Sequence, residues 1–146
     1  AASNFFGAVF ARLGTPAMIT EVLLGFDLNP YVMLFIIMGL IFLLGWPLEW
    51  VPIVLIVVPF LLPLVRGAGF DVAWFGILVA VNLQTAWLSP PVAMSAYFLK
   101  GVVPQWELGD IYKGMLQFMG LQLLVLVLII AFPQIALWLP EVLYGK

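Results

Sequence analysis

An all-α integral membrane protein, with transmembrane helices, a re-entrant helical hairpin and a discontinuous helix, is predicted by three observations. Of the 146 residues, 66% are hydrophobic and 8% charged, with a mean hydropathy of +1.24. Soluble domains hold roughly 45–50% apolar and about 25% charged residues. The few charges sit between long charge-free runs at residues 28–48, 50–65, 72–99 and 114–140. Proline and glycine interrupt the first three of these runs, where an unbroken span would need about 20 apolar residues.

The same composition excludes whole classes of function. Five Lys/Arg against seven Asp/Glu give a net charge of −2, so no basic surface could hold a phosphate backbone against salt, and nucleic acid is not an expected partner. Cys and His are absent, which removes disulfides, thiolate or imidazole zinc sites, Cys/His nucleophile pairs and Ser-His-Asp triads. An enzyme is therefore not expected.

Along the chain, residues 1–13 are expected to close a membrane helix whose beginning lies upstream, because the chain is apolar at once and shows no signal-peptide pattern. Gly14-Thr15-Pro16 then supplies a stop, a cap and a first-turn proline. Residues 14–29 are an expected interfacial helix and linker, with Ile19, Val22, Leu23 and Phe26 on one face and Glu21 off it.

Residues 30–66 are the expected re-entrant hairpin. Its first helix runs from Tyr31 to Leu44, where Gly45-Trp46-Pro47 breaks it after about 21 Å, short of a full crossing. Its second starts near Val51 with Pro52 in the first turn and is kinked by Pro59 and Pro63 into another half-length piece. Such a corner, with unpaired backbone groups, is tolerated at membrane depth only inside protein.

Residues 70–100 predict a discontinuous helix. Pro90 and Pro91 end its first half between Gln84 and Leu88, and Ser89 caps a second half with Pro90 at its first position. Residues 101–113 form an expected interfacial arm, mixing Trp106, Leu108 and Ile111 with Glu107, Asp110 and Lys113. Residues 114–140, free of proline before Pro133, form one ordinary transmembrane helix, and 141–146 a C-terminal tail. Trp74, Trp106 and Trp138 suit the interfacial belts; Gly39, Gly76, Gly114 and Gly120 suit helix packing.

Broken helices near the bilayer midplane point to a secondary-transporter site, where half-helix N-termini face anions and unwound carbonyls hold a coupling cation. A sodium ion is hard and takes oxygen ligands. Asn82, Gln84, Thr85 and Ser89 offer them in one stretch, and the corner at Gly45 offers carbonyls plus Glu49. The plain alternative for the stretch is interhelical glue at about 0.6 kcal/mol per bond; the double proline favours a site, since glue does not require a broken backbone. Glu49 either caps the helix at Val51 or sits in water at the tip, or it couples to the ion.

The corner Leu44-Gly45-Trp46-Pro47-Leu48-Glu49-Trp50-Val51-Pro52-Ile53, then Val58-Pro59-Phe60-Leu61-Leu62-Pro63-Leu64-Val65, Phe75-Gly76-Ile77, Val81-Asn82-Leu83-Gln84-Thr85, Leu88-Ser89-Pro90-Pro91-Val92 and the ending Phe132-Pro133-Gln134-Ile135-Ala136-Leu137-Trp138-Leu139-Pro140 resemble the C-terminal part of the large membrane subunit of TRAP transporters, the DctM-like family. The resemblance spans nearly the whole chain and rests on the order and spacing of the pieces. It implies the permease subunit of a sodium-coupled secondary transporter, multi-pass in a bacterial or archaeal inner membrane. Organic acids would come from an extracytoplasmic solute-binding protein, and a small TRAP membrane subunit would be its partner. It also implies an ion-transporter-superfamily-like repeat, one of two inverted copies, moving as an elevator.

By the same resemblance, sodium would meet Gly45, Trp46, Pro47 and Glu49 at the hairpin tip and Asn82, Thr85 and Ser89 in the unwound stretch. The substrate would meet Gln84, Ser89, Pro90 and Pro91. No cofactor beyond the coupling sodium ion is implied. The chain departs from the family pattern at Trp87 and Ala93, where a small residue and a glycine are usual, and at Glu49, where Asp is common. Arg12, Arg66 and Lys146 are expected on one membrane face and Lys100 and Lys113 on the other, too even a split for the positive-inside rule; the resemblance favours Lys100 and Lys113 in the cytoplasm. Other expectations compatible with the residues are a different broken-helix secondary transporter or channel-like protein, or an accessory membrane subunit without a transport site.

Overall fold

The computed structural model describes residues 29–48, 50–89 and 93–145, and these form helices and turns with no strand among them. The expected helix end and interfacial helix before Asn29 lie outside the described residues, as do Glu49, Pro90, Pro91, Val92 and Lys146. The helices are α1 (Pro30–Leu44), α2 (Trp50–Gly67), α3 (Val72–Leu88), α4 (Met94–Val102), α5 (Leu108–Ala131) and α6 (Gln134–Tyr144). The chain divides into two compact units, residues 1–75 and 76–146, with the boundary inside α3.

In the first unit, α1 starts where Asn29 Oδ1 accepts the Tyr31 N–H at 2.9 Å and Pro30 fills a position whose donor would be idle. Met33, Leu34, Ile37, Met38 and Ile41 form its buried face, while the opposite face is equally apolar with Val32, Phe35, Ile36, Leu40 and Leu43 exposed. A helix apolar all round belongs in lipid or inside a larger protein. It ends at Leu44, and the N–H groups of Gly45 and Leu48 fold back onto Ile41 O at 2.9 Å and Leu44 O at 3.0 Å.

The second helix differs from expectation. Rather than a half-length piece over 51–65, α2 runs for 18 residues and is long and apolar enough to cross a membrane, about 27 Å at 1.5 Å per residue. Pro59 is absorbed by a π-helical turn at Ile53–Val57, closed by the Val58 N–H on Ile53 O, while Pro63 stands inside the helix that follows. Pro59 lacks a donor and its ring would strike the carbonyl four residues back; the extra residue in the turn moves that carbonyl aside.

At its C-terminus α2 closes with a Schellman motif that the sequence reading did not identify. The Phe70 N–H reaches Val65 O at 3.1 Å and the Gly69 N–H reaches Arg66 O at 3.0 Å, with Gly69 at φ 81°. Phe70 then packs its ring edge-on to Tyr31 at 5.6 Å and against Trp74 at 5.4 Å. The exit of α2 thereby meets the entrance of α1. Asp71 caps α3, its Oδ1 accepting the Trp74 N–H at 2.9 Å.

In the second unit, α3 ends at Leu88, within the expected window, and Ser89 bonds back onto it; the expected start of a second half at Pro90 lies outside the described residues. The Ser89 hydroxyl donates back to Ala86 O at 3.4 Å and its carbonyl accepts the Ala93 N–H at 3.0 Å. The next described helix starts at Met94, behind Ala93, which offers no capping side chain. The bond to Ala86 O satisfies one of the last carbonyls of α3, which have no partner within the helix.

Ala93 and Ala96 pack with Ile111 and Met115 in a buried cluster flanked by Leu88, Leu108 and Tyr112, which seats α4 on α5. Between the two, Lys100 Nζ donates to Pro104 O at 2.8 Å and to Trp106 O, stapling the turn. The expected arm and spanning helix are not divided at residue 114: α5 starts at Leu108 and continues to Ala131, 24 residues long and able to cross a membrane. Pro133 ends that span, and α6 carries the expected tail in helical form as far as Tyr144.

A left-handed Gly69 makes a sign test of the α2 terminus. Gly69→Ala forces a Cβ into φ 81° and should cost about 1 kcal/mol. Gly67→Ala, in open space at the last helical position, should be neutral or gain up to about 1 kcal/mol from helix propensity. Thermal unfolding of the full-length protein in detergent checks both, and equal losses would contradict the Schellman closure.

Candidate ion and substrate site

Three polar side chains of α3 and its end are buried: Asn82, Thr85 and Ser89, each at 1% exposure or less. Their spacing of three and four residues places them on one helical face. In an apolar helix such groups are costly unless they are bonded. The Thr85 hydroxyl donates to Asn82 O, and the Ser89 hydroxyl to Ala86 O at 3.4 Å.

A hydroxyl that has given its proton to a carbonyl can interact further only as an acceptor. Together with the Asn82 amide oxygen, the stripe is therefore rich in hard oxygen ligands, a donor set that fits a sodium ion and offers nothing to a soft metal. Back-bonding of Thr and Ser to helix carbonyls also loosens the helix end where the break occurs.

The corner at Gly45 has the same acceptor character for a different reason. Gly45, Trp46 and Leu48 commit their N–H groups to Ile41, Leu43 and Leu44 carbonyls, and Pro47 has no N–H. What the corner can offer a ligand is carbonyl oxygen. Gly45 is buried, whereas Trp46 and Pro47 are exposed, with the Trp46 ring 5.7 Å from Phe42.

Gln84 stands apart from the stripe. Two residues past Asn82 it lies on another face of α3, exposed, and its Oε1 accepts the Gln122 Nε2–H of α5 at 2.9 Å. The sequence reading passed over Gln122, treating residues 114–140 as an ordinary span; its signal was an uncharged polar side chain deep in an apolar run. Lys100 was also missed as a structural residue, because its acceptors are backbone carbonyls that composition does not reveal.

The family model for the DctM component of the tripartite ATP-independent periplasmic transporters matches residues 1–135. The chain is 34% identical over 145 residues to the sialic acid TRAP transporter large permease protein of Vibrio cholerae, covering 96% of the chain and 33% of that protein. It is 31% identical over 131 residues to the C4-dicarboxylate TRAP transporter large permease protein of the same species, with 89% and 28% covered. To the sialic acid TRAP transporter permease protein of Haemophilus influenzae it is 30% identical over 140 residues, with 96% and 23% covered. The chain thus spans a third or less of these curated relatives, all of them permeases rather than enzymes. With an all-helical structure holding two helices fit to cross a membrane and a family match over nearly its whole length, the chain belongs to the DctM family of TRAP transporter membrane components.

Proposed function

We propose that the chain is the ion-coupling part of a permease subunit that imports organic acids with sodium across the inner membrane. The observation that carries this is the buried Asn82, Thr85 and Ser89 stripe running into a break between two helices. Sodium moving down its gradient would drive uptake, and these residues would hold it by hydroxyl and amide oxygens.

An organic acid brings a carboxylate. Ser89 and the break at Pro90-Pro91 stand ahead of α4, whose N-terminus attracts negative charge. Gln84 either contributes to that subsite or, through Gln122, braces α3 against α5. The relatives are named for sialic acid and C4-dicarboxylate, both acids, which supports the substrate class. The solute-binding protein and small membrane subunit are proposed on the same family basis. The Tyr31 to Phe70 contact brings the entrance of α1 and the exit of α2 together, as any helical hairpin requires; the re-entrant reading rests on α1, whose 15 residues fall short of a crossing.

Three outcomes follow for the full-length transporter in proteoliposomes. Ser89→Ala or Asn82→Ala should raise the sodium concentration for half-maximal uptake, tenfold for each roughly 1.4 kcal/mol of lost binding, with little loss of protein from the membrane. Gln84→Leu should leave the sodium dependence alone and cost about 0.6 kcal/mol of stability. Three indistinguishable sodium titrations would make the stripe packing only.

If the hairpin re-enters, cysteines placed at Arg12 and Arg66 label from the same membrane face; opposite faces would exclude it. For Glu49, a cap role predicts that Glu49→Gln loses only about 0.3–1 kcal/mol of charge–dipole attraction and keeps most of the uptake. A tenfold or larger rightward sodium shift at normal protein level would assign the carboxylate to the ion instead.

A further inference from the structure

The second unit holds a cleft of about 720 Å³ where α4, the stapled turn and the start of α5 meet. Its walls are apolar: Leu88, Leu99, Ile111, Met115 and Phe118. On α5, Ile111, Met115 and Phe118 follow one another at four and three residues, one stripe leading from the helix start into the charge-free run. Gly114 lines the cleft beside them and leaves the room that a side chain would take.

The mouth is polar and acidic, with Trp106, Glu107 and Asp110. Glu107 precedes α5 but its side chain does not cap it, and among the described residues it forms no ion pair. The nearest cation in sequence on the other side, Lys100, is turned to the carbonyls of Pro104 and Trp106. Asp110 is held by Lys113 at 3.1 Å, both well exposed. The mouth thus offers carboxylate acceptors, one ammonium beside them and a single indole ring, above a greasy channel aligned with a membrane-spanning helix.

We propose that this cleft binds one phospholipid with a primary ammonium headgroup, a phosphatidylethanolamine. The ammonium donates to Glu107 and Asp110, Lys113 meets the phosphate, and an acyl chain lies along Ile111, Met115 and Phe118. Charge complementarity selects the headgroup. A trimethylammonium has no N–H to give to carboxylates and is held best by a cage of aromatic rings, of which the mouth has only Trp106; an anionic headgroup meets Glu107. The inference rests on α5 lying in a bilayer, as the proposed permease requires.

Native mass spectrometry of the purified full-length transporter, exchanged against equal mixtures of phosphatidylethanolamine, its N-methylated series and phosphatidylglycerol, tests it. Retention should fall at least tenfold from the primary amine to the trimethyl form, and the E107Q/D110N double variant should lose that preference while still carrying lipid. Equal retention across the methylation series, or a preference for phosphatidylcholine or phosphatidylglycerol, overturns the proposal on the wild-type protein alone. An unchanged preference in the double variant overturns it too. Recovery of the transporter outside the membrane fraction would instead refute the permease reading, and sodium-driven uptake measured in the same preparation keeps the two failures apart.

Discussion

Every backbone N–H and C=O at membrane depth needs a partner within the protein, since hydrocarbon supplies none. A chain with eleven prolines meets that demand at many points, and the course of each helix follows from how it is met. Pro30 stands at a first position, where a missing donor is harmless. Pro59 is accommodated by the π turn at Ile53–Val57. Pro133 closes α5 and opens α6. Where the helix stops outright, side chains and turns take over: Asn29 and Asp71 as caps, the Schellman amides of Gly69 and Phe70, and the Ser89 hydroxyl on Ala86 O.

Polar side chains obey the same rule and divide by what they satisfy. Asn82, Thr85 and Ser89 lie on one buried face and present acceptors. Gln84 and Gln122 pair with each other between helices. Lys100 is consumed by carbonyls of a turn, an ammonium acting as a three-donor clip rather than as a charge. Four adjacent polar residues of similar chemistry, 82, 84, 85 and 89, thus separate into a stripe suited to a ligand and a brace suited to packing, on rotation about one helix axis alone.

That separation marks the limit of what the sequence disclosed. Helix identity was legible where apolar runs meet proline and glycine: α1 from Pro30 to the Gly45 corner, and the end of α3 before Ser89. The membrane class followed from composition, and the family from the order of the pieces. What was not legible is where one hydrogen bond competes with another. The Ser89 hydroxyl bonds back to Ala86 O, which spacing does not disclose. Pro59 could end a helix or be carried by a π turn, and the outcome depends on backbone geometry upstream of the proline. Gln84 was grouped with Asn82 by proximity in sequence, whereas a helix puts residues two apart on different faces.

The buried stripe ends at Ser89, just past the last residue of α3. The Ser89 carbonyl accepts the Ala93 N–H at 3.0 Å, and α4 starts at Met94. The stripe's last hydroxyl therefore stands four residues before Ala93, which with Ala96 is packed on α5. A ligand that drew on Ser89 would compete with the Ala86 carbonyl for its oxygen's orientation, a long bond at 3.4 Å and hence a weak one. A ligand held by Ser89 would thus act on the same hydroxyl that completes the end of α3, and in this way a polar group needed for local backbone satisfaction is also the one best placed to report on binding.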